Sequence, residues 1–114
     1  VHGAWVPAQH DLNQWIQVDL GKLMRIAAIS TQGAPEFNFF ITKYMLSYSS
    51  DGITWVNYVP DRPFLSNGFI LLPGNNDSNS IAKNMLSPEI LARYVRLLPA
   101  GWVGGIGLRM EMYG

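Results

Sequence analysis

From Trp15 to Leu20 the chain reads WIQVDL, with Ile16, Val18 and Leu20 on one face and Gln17 and Asp19 on the other. That two-residue period is the signature of a half-buried strand. It returns over residues 43–49, where Tyr44, Leu46 and Tyr48 alternate with Lys43, Met45 and Ser47, and over 107–113, where Leu108, Met110 and Met112 alternate with Arg109 and Glu111. Further apolar runs at 24–31, 53–58, 69–72 and 93–98 are short enough for strands. Gly21-Lys22 is expected to turn a first hairpin, and Gln32-Gly33-Ala34-Pro35 stops its second strand. Asp51-Gly52, between two alternating runs, is the strongest hairpin signal. Residues 60–68, with two Pro, a Gly and an Asn, read as a loop, and PGNNDSNS at 73–80 is turn chemistry throughout. Ser87-Pro88-Glu89 fits a helix start of at most one turn. Short strands separated by turns, with no amphipathic helix, predict an all-β sandwich or barrel.

At 114 residues the chain has the length of one domain, and no internal repeat divides it. Eight Lys plus Arg balance eight Asp plus Glu, and charged residues make up 14%. This leaves no electrostatic case for nucleic acid or an anionic membrane as the main partner. Absence of Cys removes disulfides, thiol catalysis and cysteine-held zinc. Only His2 and His10 could act as histidine bases or ligands, and there is no nucleophile elbow, phosphate-cradling glycine loop or paired carboxylate motif, so no enzymatic activity is expected. No cofactor is expected either. Asn75, Asn76, Asp77 and Asn79 offer hard oxygen ligands that suit calcium, although Asn- and Asp-rich segments are usually plain turns. Asn76-Asp77-Ser78 is an N-glycosylation acceptor pattern. No window reaches the roughly 18 apolar residues that would cross a bilayer, and Val1 opens no secretory pattern, so a secreted chain would be a mature piece.

Six blocks in fixed order, GAWVPAQHDLNQWIQVDLG, ISTQG, SYSSDGITW, PGNND, ARYVRLLPAGW and GIGLRMEMYG, resemble the discoidin domain, also called the coagulation factor V/VIII C-type domain. The resemblance covers nearly the whole chain, as a single domain over residues 1–114. It implies an eight-stranded, jelly-roll-like antiparallel β-sandwich of the galactose-binding type. It also implies a secreted or cell-surface protein working in adhesion, phospholipid binding, or collagen or glycan recognition. Members of the family usually begin some thirty residues earlier, with a Cys, a first strand and a first projecting loop, and close with a Cys just after the glycine that is Gly114 here. A fragment of a larger protein is therefore expected, with other domains of the same chain among its partners. The segment at 60–68 is longer than is usual in the family.

Following strand direction from hairpin to hairpin gathers the loops at 32–41, 60–67 and 99–105 at one end, which also receives residues 4–14. The turns at Gly21-Lys22 and Asp51-Gly52, and the Asn76 region, are expected at the other end, where a glycan would leave the first end open. The resemblance implies that the first end binds ligand. In it, Pro35-Glu36-Phe37-Asn38-Phe39 places two aromatics in a projecting loop that would ordinarily be polar. With Trp5, His10, Asp11, Asn13, Arg62 and Trp102 it gives a mixed aromatic and hydrogen-bonding rim that suits an extracellular protein or glycan. Positions that are basic in phospholipid-binding members hold Val1, Val6 and Asn13, and Glu36 adds a negative charge, so membrane lipid is the weaker alternative. A purely structural packing domain is a second alternative. Trp15 reads as core, while Trp5 and Trp102 read equally as core or rim. Asp19, Arg96, Arg109 and Glu111 are expected to form internal or surface ion pairs.

Overall fold

The computed structural model describes residues 4–61, 64–66 and 69–114. Seven strands are described: β1 (Ile16–Gln32), β2 (Phe40–Ser49), β3 (Val56–Asn57), β4 (Phe64–Ser66), β5 (Phe69–Pro73), β6 (Ala82–Val103) and β7 (Arg109–Tyr113). All pairings are antiparallel, in the order β4-β5-β2-β6-β1-β7 with β3 on β2. The result is an antiparallel sandwich whose sheet does not close into a barrel.

The two long strands make it a sandwich. β6 faces β1 along almost its whole length, from Ala82 opposite Thr31 to Leu97 opposite Ile16, with shifts in register between Asp19 and Met24 and between Ile26 and Ala28. Gly21 sits inside the first shift at φ +83, and Asp19 Oδ1 accepts its N–H at 2.8 Å. The expected hairpin at Gly21-Lys22 is therefore a bend within one strand: the chain turns a corner while staying on the same partner. Both ends of β6 return to one end of the molecule, because Val103 faces Phe40, Ala82 faces Thr31, and the short loop between β1 and β2 joins these places.

The expected helical turn at Ser87-Pro88-Glu89 is absent, and these residues lie inside β6. The Ser87 carbonyl accepts the Asp61 N–H and the Pro88 carbonyl accepts the Tyr58 hydroxyl, so neither is left for an i→i+4 ladder. The Asp51-Gly52 hairpin holds, with Tyr48 opposite Val56. The segment expected as a plain loop at 60–68 contains β4. Its start is fixed at Ser87, in the first third of β6, by Asp61 N–H to Ser87 O and Ser87 Oγ to Asp61 Oδ2, not at the end where sequence placed it.

Tyr44, Ile29, Ile41, Ile90, Val95, Leu97 and Ile106 are fully buried at the centre, with Leu46, Leu72, Leu86 and Leu108 around them. The alternating faces deliver these residues as read: Ile16 and Leu20 on β1, Tyr48 on β2 and Met110 and Met112 on β7 all face the core. Trp15 does not. It is 45% exposed, with the Arg96 guanidinium 4.1 Å from its ring and 3.8 Å from that of Trp55.

Candidate ligand-recognition end

The loop after β1 is a tight projecting turn. Ala34 N–H donates to Phe39 O at 2.8 Å, and Phe37 and Phe39 both donate to Ala34 O at 3.2 Å. Closing so short a loop calls for one residue in the left-handed region, and Asn38 takes it at φ +55, a conformation Asn tolerates better than most residues. Pro35, Glu36, Phe37 and Asn38 all point into solvent. Phe37 is 57% exposed and rests on Phe39, ring centroids 5.4 Å apart and planes 26° from parallel.

Phe39 is the support. It is half-buried, meets the His10 ring edge-on at 5.4 Å, and lies across the glycines after β6. A Cβ on Gly105 would sit 2.8 Å from Phe39 Cε2 and 2.9 Å from His10 Cε1, so only glycine admits both rings. His10 Nδ1 accepts the Ile106 N–H at 2.7 Å, which leaves Nε2 to carry the proton of the neutral ring. Asp11 Oδ1 accepts from Asn13 N–H and Gln14 Nε2, both at 3.0 Å, and so builds the turn that lifts Leu12, 68% exposed. Trp5 pairs through its backbone with Leu108, and Trp5 and Trp102 are half-buried against the core. The structure thus brings together Trp5, His10, Asp11, Asn13, Pro35, Glu36, Phe37, Asn38, Phe39 and Trp102 at one end. Arg62 lies outside the described residues.

Sequence reasoning missed four residues here. Leu12 and Val103, the latter 48% exposed, add apolar surface at this end. Arg109, expected in an ion pair, instead donates from Nε to Gly33 O at 2.8 Å and from Nη2 to Ser78 O at 3.2 Å, bracing two loops. Ser78 Oγ donates to Asn38 Oδ1 at 3.1 Å. The acceptors are backbone carbonyls and a side chain many residues away, so no local pattern marked these contacts. Among the four strand charges named for ion pairing, only Asp19 forms one among the described residues, with Arg93 at 2.9 Å. Arg96 donates to Gln17, and Glu111 is exposed.

The Ser78 contact overturns the placement of the Asn76 turn. Gly74 and Asn75 N–H groups donate to Thr42 and Ile41 carbonyls, Gln32 Nε2 donates to Asn79 O, and Ser78 touches Asn38, so the turn stands beside the projecting loop and not at the far end. β5 delivers it there because its partner β2 begins at this end. Of the side-chain oxygens considered for calcium, those of Asn75 and Asp77 are engaged internally. Asn75 is buried between Thr31 and Ser80, and Asp77 Oδ1 accepts the Asn79 and Ser80 N–H groups while its Oδ2 accepts the Ser80 hydroxyl. Those donors, Ser80 foremost, hold the Asp77 carboxyl below the usual carboxylate range.

Residues 1–112 match the model of the F5/8 type C domain. The chain is 39% identical to lactadherin of Sus scrofa over 97% of its own length and 27% of that protein. It is likewise 39% identical to the EGF-like repeat and discoidin I-like domain-containing protein 3 of Homo sapiens, over 97% of its length and 23% of the relative. Among solved structures, discoidin II of Dictyostelium discoideum superposes with a TM-score of 0.82 at 33% identity, covering 96% of this chain and 40% of that one. The chain therefore spans about a quarter of the length of these curated relatives.

Proposed function

The chain belongs to the F5/8 type C, or discoidin, family of non-catalytic binding modules, and we propose that it recognises an extracellular protein or glycan through the Phe37 end of the sandwich, in an adhesion or matrix setting. One observation carries the proposal: Phe37 is held out in solvent by its stack on Phe39, whose ring His10 meets edge-on, where folding alone would favour burial. A flat aromatic face presented rigidly is a low-entropy anchor for a sugar ring or a partner's backbone. Around it Asn13, Asn38, Glu36 and the His10 ring supply hydrogen-bonding groups. Family members occur in secreted and cell-surface multidomain proteins, which fits such partners.

A second reading has its own support. Leu12, Phe37 and Val103 together form an exposed apolar set that could enter a bilayer interface. Weighing against an anionic surface are Glu36 and Asp11 at the tip and the engagement of Arg109 by two carbonyls. The full-length protein, wild type and Phe37→Ala, applied to glycan arrays, matrix-protein arrays and liposomes with and without phosphatidylserine, separates the readings. Array binding lost in the variant supports the first. Binding to liposomes alone, lost in the variant, replaces it with the second. Silence on every surface leaves a packing role inside an assembly.

A further inference from the structure

Resting on the reading of the Phe37 end as the recognition surface, we propose that Asn76 is an N-glycan acceptor whose oligosaccharide shields the Phe37 tip, so that occupancy of one asparagine sets access to that end. Asn76-Asp77-Ser78 carries the acceptor pattern, and Asn76 itself is exposed. Its neighbours are locked. Asn75 is buried with its amide donating to Thr31 O and Ser80 O at 2.9 Å each, and Asp77 Oδ1 accepts from Asn79 N–H at 3.0 Å and Ser80 N–H at 2.6 Å. Ser78 is buried, donates its hydroxyl to Asn38 Oδ1 at 3.1 Å, and its Cα would lie 2.9 Å from a Cβ on Gly33. Asn38 directly follows Phe37. Two residues from Ser78, the Asn76 Cα lies within about 7 Å of the Ser78 Cα. The base of a glycan is thus fixed at the rim by a turn that cannot swing aside, and a branched sugar sweeps the space over the neighbouring tip.

In the transfer, the Asn76 amide nitrogen bonds to C1 of the reducing-end sugar of a polyprenyl-pyrophosphate-linked oligosaccharide. The C1–O bond breaks with its electron pair leaving on the pyrophosphate, and the amide gives up one N–H proton to a base of the transferase. In the folded chain the Ser78 hydroxyl is buried and committed to Asn38, so the transfer precedes closure of the turn and occupancy is set during synthesis.

The test uses the full-length protein secreted from eukaryotic cells. Peptide mass spectrometry reads occupancy at Asn76, and carbene footprinting with a small diazirine compares the glycosylated protein with the same preparation after enzymatic deglycosylation and with Asn76→Gln. Occupied Asn76 is expected, with labelling of Phe37 and Asn38 reduced by half or more relative to the deglycosylated protein. Ile53, 84% exposed at the opposite end, should label equally in both. An unoccupied Asn76, or equal labelling of Phe37 with and without the glycan, overturns the proposal; because deglycosylation acts on folded protein, a variant that misfolds does not blur the result. Array binding abolished by Phe37→Ala beside an unchanged footprint sinks the shield alone. A changed footprint beside array binding that ignores Phe37→Ala sinks the recognition reading, and the gate with it.

Discussion

Tyr44 shows how one residue couples burial to pH. It is fully buried, its hydroxyl oxygen accepts from Asn84 Nδ2 at 2.9 Å, and burial pushes the phenol up to about 12 from its ordinary value of 10.0. Between those pH values the unfolded chain has released the proton and the folded chain keeps it, so stability falls as pH rises, by about 1.4 kcal/mol per pH unit. Tyr44→Phe should flatten urea-denaturation stability above pH 10 while costing about 1 kcal/mol near neutrality, where Asn84 loses one of its two acceptors. Equal slopes in both proteins would show that the phenol is not held neutral by the fold. Arg96 makes a different point. Its alternation on β6 was legible, but ion pairing was the wrong expectation, since its guanidinium lies between the Trp15 and Trp55 rings. A planar cation fits that slot and an ammonium does not, so Arg96→Lys should cost about 1–2 kcal/mol in thermal or chemical denaturation. It should also shift tryptophan emission, because Trp15 loses its cover.

At the scale of elements, alternation predicted well which side chains face inward and poorly how far a strand runs. A two-residue period survives a bulge, so the segments either side of Gly21 read as two strands although they are one bent strand on a single partner. Local signals at Ser87-Pro88-Glu89 favour a helix start, yet their carbonyls are claimed by Asp61 and Tyr58, nearly thirty residues away in sequence, which no local pattern reveals. The placement of the Asn76 turn failed for a related reason: the long segment before it contains β4, so counting simple hairpins misassigned its direction. Asn75 is what ties that turn to the sandwich. It is buried and its side chain makes three hydrogen bonds, accepting from Thr31 Oγ1 at 2.8 Å and donating to Thr31 O and Ser80 O. Asn75→Ala strands Thr31 and Ser80 groups without partners and should cost about 2–4 kcal/mol. Hydrogen exchange should then quicken first in residues 74–80, before global unfolding, and uniform acceleration instead would show that the turn has no separate anchor.

Over the whole molecule, the surface proposed to recognise a ligand is distinct from the core that stabilises the fold. Phe37 is more than half exposed, so Phe37→Ala should leave stability within about 1 kcal/mol of wild type. Phe39→Ala removes the ring that fills the space over Gly105 and beneath Phe37, and should cost about 2–4 kcal/mol and abolish binding too. The family blocks in the sequence made this end legible as a region, and the aromatic pair made Phe37 stand out. What they left hidden was the division of labour within the pair, which depends on glycines from the loop after β6. Net charge follows the same logic at long range. Eight positive and eight negative side chains cancel, and at the tip Glu36 and Asp11 stand against no free arginine among the described residues of the projecting loop and its brace. Steering by a charged partner would weaken as the Debye length shrinks from about 10 Å at 0.1 M salt to about 3 Å at 1 M. Contact through an aromatic face and neutral hydrogen bonds lacks that dependence, so raising sodium chloride tenfold from about 0.1 M should change the array affinity by less than about threefold. Surface plasmon resonance on whichever array surface the protein binds measures it. A fall of a hundredfold would mean that cations outside the Phe37 tip carry the binding, and would move the site away from the Phe37 end.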